Sequence, residues 1–347
     1  MTGLPRALIV ASSMAAASLT STPALADRHG IDARGTEADC QAVKENGLQL
    51  RSGLWRNLHH LLYAQAMASR PSAAGRIPLM GEDVAAALLP GERAAWNAAL
   101  EIYAPLAQRD LLFDEELVRI GRVLSRAGDD LGSADLPPDL RQALTAARPV
   151  YERLFWERHR RINGDWCGAL QSRLARYAGP ALGRLREIYG TETPESAAVE
   201  VTVYANWAGA YTSLDPVEIV IGSGHPANAG DAALEIVIHE LSHTMAGGLR
   251  RRLDETVGRL AGAPGATAVP RDLWHQVLFY IAGEVVAELI PGYIAYADRN
   301  GLWTRVWPGT ARPLLEKHLR PVLDGDTSLD DALEQLLADL AGVRPTA

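Results

Sequence analysis

The chain has 347 residues, with 42 acidic against 34 basic side chains, 48% hydrophobic residues and only 2 Cys. That is enough for one large domain or two small ones with a buried core, and it excludes collagen-like, disulfide-framework and largely disordered classes. The net charge of -8 argues against a nucleic-acid binder, which needs a concentrated positive face. Basic residues are nearly all Arg, with Lys only at Lys44 and Lys317, a bias of genome composition rather than a docking patch; the run Arg250, Arg251, Arg252 reads as a solvated helix end.

The first 26 residues differ from the rest. Arg6 gives a basic start, Ala7 to Thr20 form a small-residue apolar stretch, and Ala24-Leu25-Ala26 offers a cleavage site before Asp27. This pattern is that of a secretory signal peptide over 1–26, because an apolar run of about 14 residues falls short of the roughly 20 that span a bilayer. The mature chain would be exported, periplasmic or secreted, with no membrane span. In an oxidising compartment Cys40 and Cys167 are expected to pair, closing a long loop and contributing about 4 kcal/mol. Neither lies in a CxxC motif, so neither reads as catalytic.

From Cys40 to about Gly190 the pattern predicts helix after helix, a helical N-terminal region assigned to 27–195. Leu54, Leu58, Leu61, Leu62 and Ala66 recur at the spacing of one buried face, and Leu111, Leu112, Leu117, Ile120 and Leu124 do so less regularly. Tyr151 to Tyr189 reads as two helices broken near Asn163-Gly164-Asp165. The period changes near Ser196: Val199, Val201, Val203 and then Val217, Ile219, Ile221 alternate as strands do, with Ala208-Gly209-Ala210 as the turn between them. Helical pattern returns after Gly230. The expected fold is α+β and predominantly helical, with a small sheet just before the segment that carries the chemistry.

That segment, Ala233 to Met245, contains His239-Glu240-Leu241-Ser242-His243. Two His four residues apart on a helix lie about 40° apart around its axis, so both imidazoles reach one Zn²⁺ while Glu240 points at the water beside it. Asp231 is placed to cap this helix and Gly247-Gly248 to end it. A Glu and two His in an otherwise apolar helix would be costly if buried without partners, and a metal supplies them.

Here residues 199 to 295 resemble the HExxH zinc metallopeptidases. Metzincins extend the motif to HExxHxxGxxH, but Ala246 and Leu249 occupy the extra Gly and His positions. The gluzincin, or thermolysin-like, branch takes a third ligand from a Glu on a later helix, often with an acidic residue four positions on that supports a His. Glu284 and Glu288, on the stretch His275 to Glu288, match that pattern. The resemblance implies Glu284 as third ligand and Glu288 as the carboxylate behind a His, with the swapped assignment left open. It places the catalytic region at 196–347 and implies one Zn²⁺ and a water activated with Glu240 as general base. For the donor that stabilises the oxyanion, Tyr280, His275 and Tyr293 are the candidates. His275 lies nine residues before Glu284, about 180° round a continuous helix, so it qualifies only if that helix starts later. Gluzincins hold extended peptides along an edge strand before the motif, and Val217, Glu218, Ile219, Val220 and Ile221 occupy that place. The expected function is an exported zinc peptidase acting on peptide or protein substrates. The alternatives are a zinc hydrolase of another cell-envelope amide and a non-catalytic metal-binding helical protein.

Overall fold

Two periodicities meet at Ala197, and the chain is arranged around that change. The computed structural model describes residues 40, 43–45, 47–69, 87–259, 270, 272–307 and 311–341. Residues 1–26, read as a signal peptide, lie outside the described residues. The fold is α+β and predominantly helical.

Strands β1 (Val43–Glu45) and β2 (Leu48–Arg51) open it, followed by helices α1 (Leu54–Ala68), α2 (Pro90–Leu106), α3 (Glu115–Arg126) and α4 (Pro138–Tyr151). Helices α5 (Glu157–Arg173) and α6 (Gly179–Tyr189) continue from α4 through single π-helical turns at Glu152–Trp156 and Leu174–Ala178. The three remaining strands are β3 (Ala197–Thr202), β4 (Ala210–Leu214) and β5 (Val217–Gly222). After them come α7 (Asp231–Ser242), α8 (Ala246–Arg259), α9 (Leu273–Leu289), two one-turn helices at Tyr296–Arg299 and Leu302–Arg305, α10 (Ala311–Asp324) and α11 (Leu329–Leu340).

The strands form one sheet in the order β1-β2-β3-β5-β4. β2 pairs with β3 and β3 with β5 in parallel, while β1 and β4 run antiparallel at the two ends. Because side chains alternate across a sheet, each face has its own core. Leu48, Leu50, Val199, Val201, Ile219 and Ile221 face α5, α6, α7 and α9, whereas Tyr211 and Val220 face the bundle of α1 to α4. The result is helices, sheet, helices, with α7 buried from Ala232 to Ser242 between the sheet and α9.

The Cys40–Cys167 disulfide is formed, with Cα atoms 5.6 Å apart across 127 residues of sequence. Three expectations need correction. Val43–Glu45 and Leu48–Arg51 are strands that join the sheet, so the region 27–195 is not purely helical; three- and four-residue strands are too short to show a period against their helical surroundings. The helix runs unbroken through Asn163-Gly164, because buried Asn163 bonds Ser52, Asn57 and Ser223 and so has no pull towards a turn. Gly247 and Gly248 do not end the motif helix but lie in the first turn of α8; α7 stops at Ser242, and a single 3₁₀ turn, His243–Met245, intervenes.

Candidate metal centre

Beyond Asp231 at its first position, helix α7 is apolar except for Glu235, His239, Glu240 and Ser242, each of which is buried. The 3.6-residue repeat puts His239 and His243 on one side, their ring centroids 4.9 Å apart. The first turn of α9 brings His275 against them: its Nε2 lies 3.3 Å from Nε2 of His239, and its ring centroid 5.2 Å from that of His243. One ligand atom from each of the three lies within 4.8 Å of the others, and the three form a group that could hold a metal ion. Two nitrogens bound tetrahedrally at about 2.1 Å to one Zn²⁺ would stand about 3.4 Å apart, close to the 3.3 Å between Nε2 of His239 and Nε2 of His275.

The residues fit such an ion in two further ways. Burial holds His239 and His275 well below the usual histidine range and His243 at about 3, so all three are neutral imidazoles with lone pairs to offer. Aromatic rings close the surroundings: Phe279 stacks on His239 with centroids 3.6 Å apart, and Trp274 and Trp307 lie 5.1 and 5.5 Å from His275. Such walls exclude water and strengthen any charge interaction inside.

Glu240 is 4% exposed, with Oε2 3.8 Å from Nε2 of His243. Burial raises its carboxyl to about 7, and a hydrogen bond from Thr212 on β4 opposes that rise. The Thr212 hydroxyl is 2.7 Å from Oε2 of Glu240 and 2.9 Å from the Glu240 main-chain oxygen.

Other sequence candidates lie elsewhere. Glu284 is not at the cluster: it bonds Arg312 at 3.3 Å and also Arg320, on the side of α9 that faces α10. Nine residues of helix separate it from His275, half a turn, so only one of the two can face α7. Glu288 pairs with Arg320 at 3.0 Å and is partly exposed, so it supports no histidine. Tyr280 belongs to the Glu284 side, under the Arg312 guanidinium 4.8 Å from its ring. Tyr293 donates to Oε2 of Glu235 at 2.7 Å instead of facing the imidazoles. Val217, Glu218, Ile219, Val220 and Ile221 form no edge, since β5 is paired on both sides by β3 and β4. The edge strand beside α7 is β4.

Glu235, Phe279, Thr212 and Tyr296 were not legible as site residues. Glu235 lies one helical turn before His239, and burial pushes its carboxyl up to about 8. It also accepts the Tyr296 main-chain N–H at 2.6 Å. Gly283 permits that approach, because a Cβ there would come within 2.8 Å of the Ala295 Cβ and 3.1 Å of Oε1 of Glu235. Tyr296 in turn stacks on Phe279, centroids 6.2 Å apart. An acidic residue on the apolar side of the motif helix was the available signal for Glu235; for Thr212 and Tyr296 there was none.

Compared with known proteins, the chain matches no family model, no curated protein and no solved structure.

Proposed function

We propose that the protein is an exported zinc-dependent peptidase whose ligands are His239, His243 and His275 and whose general base is Glu240. The observation that carries this is the convergence of three buried neutral imidazoles beside a carboxylate that no basic side chain among the described residues neutralises. Imidazole donors suit zinc, and three protein ligands leave a position for substrate or water. When bound, the ion supplies Lewis acidity, polarising a scissile carbonyl and acidifying a nearby water. Glu240 takes the proton from the attacking water and returns it to the leaving amine. A third His in place of Glu284 departs from the gluzincin ligand set, so the resemblance is carried by the HExxH helix alone.

Edge strand β4 offers main-chain groups to an extended peptide, which fits a peptide substrate. Tyr296 replaces Tyr280, His275 and Tyr293 as the candidate donor to the oxyanion, since its ring packs on Phe279, which itself stacks on His239. The disulfide and the basic-apolar start of the chain support export.

One observation favours a second reading. The three imidazoles are at most 1% exposed, as in metal sites that only tie two helices together. Metal analysis and turnover separate the two. The purified protein is expected to hold about one zinc per chain and to lose it in His239→Ala and His275→Ala. Glu240→Gln is expected to keep the zinc and abolish hydrolysis across a panel of peptides and cell-envelope amides. Zinc-free, well-folded parent protein would overturn both readings; hydrolysis undiminished in Glu240→Gln would overturn the enzymatic one.

A further inference from the structure

The carboxylate of Glu240 has rotational freedom about its side-chain bonds, and a general base acts only from the rotamer that faces the reacting water. Among the described residues, one side chain holds it by a hydrogen bond, Thr212. Thr212 is itself 1% exposed and is carried by β4, whose pairing with β5 fixes its place. Its neighbour Tyr211 points to the opposite face of the sheet, where its hydroxyl receives a bond from Arg56 at 3.2 Å. The strand is thus gripped from below while Thr212 reaches the helix above.

We propose that Thr212 is the positioning residue of this site: its hydroxyl, 2.7 Å from Oε2 and 2.9 Å from the main-chain oxygen of Glu240, locks the carboxylate against α7 in the orientation its role requires. This rests on Glu240 being the base. A hydroxyl has one hydrogen, so it can serve only one of these two oxygens at a time. Facing a carboxylate, it donates to Oε2.

The test compares the parent, Thr212→Ser, Thr212→Val and Glu240→Gln, each loaded with Co²⁺ in place of zinc. Visible absorption reports the surroundings of the metal, hydrolysis of an unstructured reporter peptide reports turnover, and thermal unfolding reports folding. Thr212→Ser keeps the hydroxyl and is expected to match the parent spectrum, with kcat within about threefold. Thr212→Val, of the same shape, is expected to bind Co²⁺, to shift its bands in the direction of Glu240→Gln, and to lose about 10- to 100-fold in kcat with KM little changed. If Glu240→Gln moves both spectrum and turnover while Thr212→Val moves neither, or lowers only the unfolding temperature, the positioning role is overturned and the base remains. If the parent takes up no Co²⁺, or Glu240→Gln changes neither readout, the underlying function is wrong and the positioning role falls with it.

Discussion

The two faces of one sheet carry two buried polar clusters that solve opposite problems. Below β4 and β5, Arg56 is 1% exposed, yet its guanidinium donates to His60, Ser125, Tyr211 and Glu218, and its charge meets that of Glu218 at 3.2 Å. Gly121 leaves room for it, since a Cβ there would come within 2.3 Å of Nη1. Above the same strands, His239, His243 and His275 bring three lone-pair donors together, and no basic side chain among the described residues meets them. A buried cluster that balances its own charge is part of the scaffold; one that is all acceptor asks for an ion from outside.

The largest expected effect separates the clusters by what they need. Replacing His275 by Ala should abolish metal binding, and it or a chelator should lower the unfolding temperature, because a bound ion would stabilise the native state by about 4 kcal/mol when present at a thousand times its dissociation constant. Calorimetry with and without added Zn²⁺ measures this. Zinc-dependent stability that survives in His275→Ala would place the ion elsewhere.

Next in size is Arg56→Met, expected to cost about 3–5 kcal/mol in denaturant unfolding whatever the metal content, since it leaves the Glu218 charge buried and unpaired. Adding Glu218→Gln to it should recover part of that loss. Additive effects in the double variant would mean that the two side chains are not coupled.

The clusters should also respond to pH in opposite directions. In the metal-free protein, His243 is held at about 3 by burial against 6.5 unfolded, so the unfolded chain binds protons first and stability is lost as pH falls from 6.5 towards 3. Glu200, raised by burial to about 7 on the Arg56 side, ionises later in the native state than in the unfolded one, so stability is lost as pH rises from 4.5 towards 7. Unfolding curves across this range should show His243→Gln flattening the acid limb and Glu200→Gln the neutral one. A neutral limb left unchanged by Glu200→Gln would show that Glu200 ionises normally in the folded protein.

The smallest effect concerns Glu284. Because it pairs with Arg312 and Arg320, near the surface, Glu284→Ala should keep the metal and cost on the order of 1 kcal/mol in denaturant unfolding. Loss of zinc in that variant would restore it as a ligand and remove His275.

Half of this site was legible in a short stretch of chain. His239, Glu240 and His243 are placed by the local geometry of one helix, and the apolar frame that buries them is visible beside them. The third ligand is a different kind of question. Helix α9 is apolar almost all round, so its pattern does not say which side meets α7, and His275 and Glu284 lie half a turn apart. A polar face would have decided between them. Likewise Val217 to Ile221 reads as a strand, but whether a strand is an edge depends on partners far away in sequence, here β3 and β4.

Sequence alone determined the helical bulk, the strands near Val199 and Ile219, the HExxH helix and the Cys40–Cys167 pairing, because each rests on short-range periodicity or on the small number of available partners. Only the tertiary structure decided that His275 completes the cluster, that β4 is the edge, that Thr212 holds Glu240, and that Arg56 lies beneath them. Those four depend on which faces of distant segments are packed together, and that is settled by the burial of the whole chain rather than by any window of it.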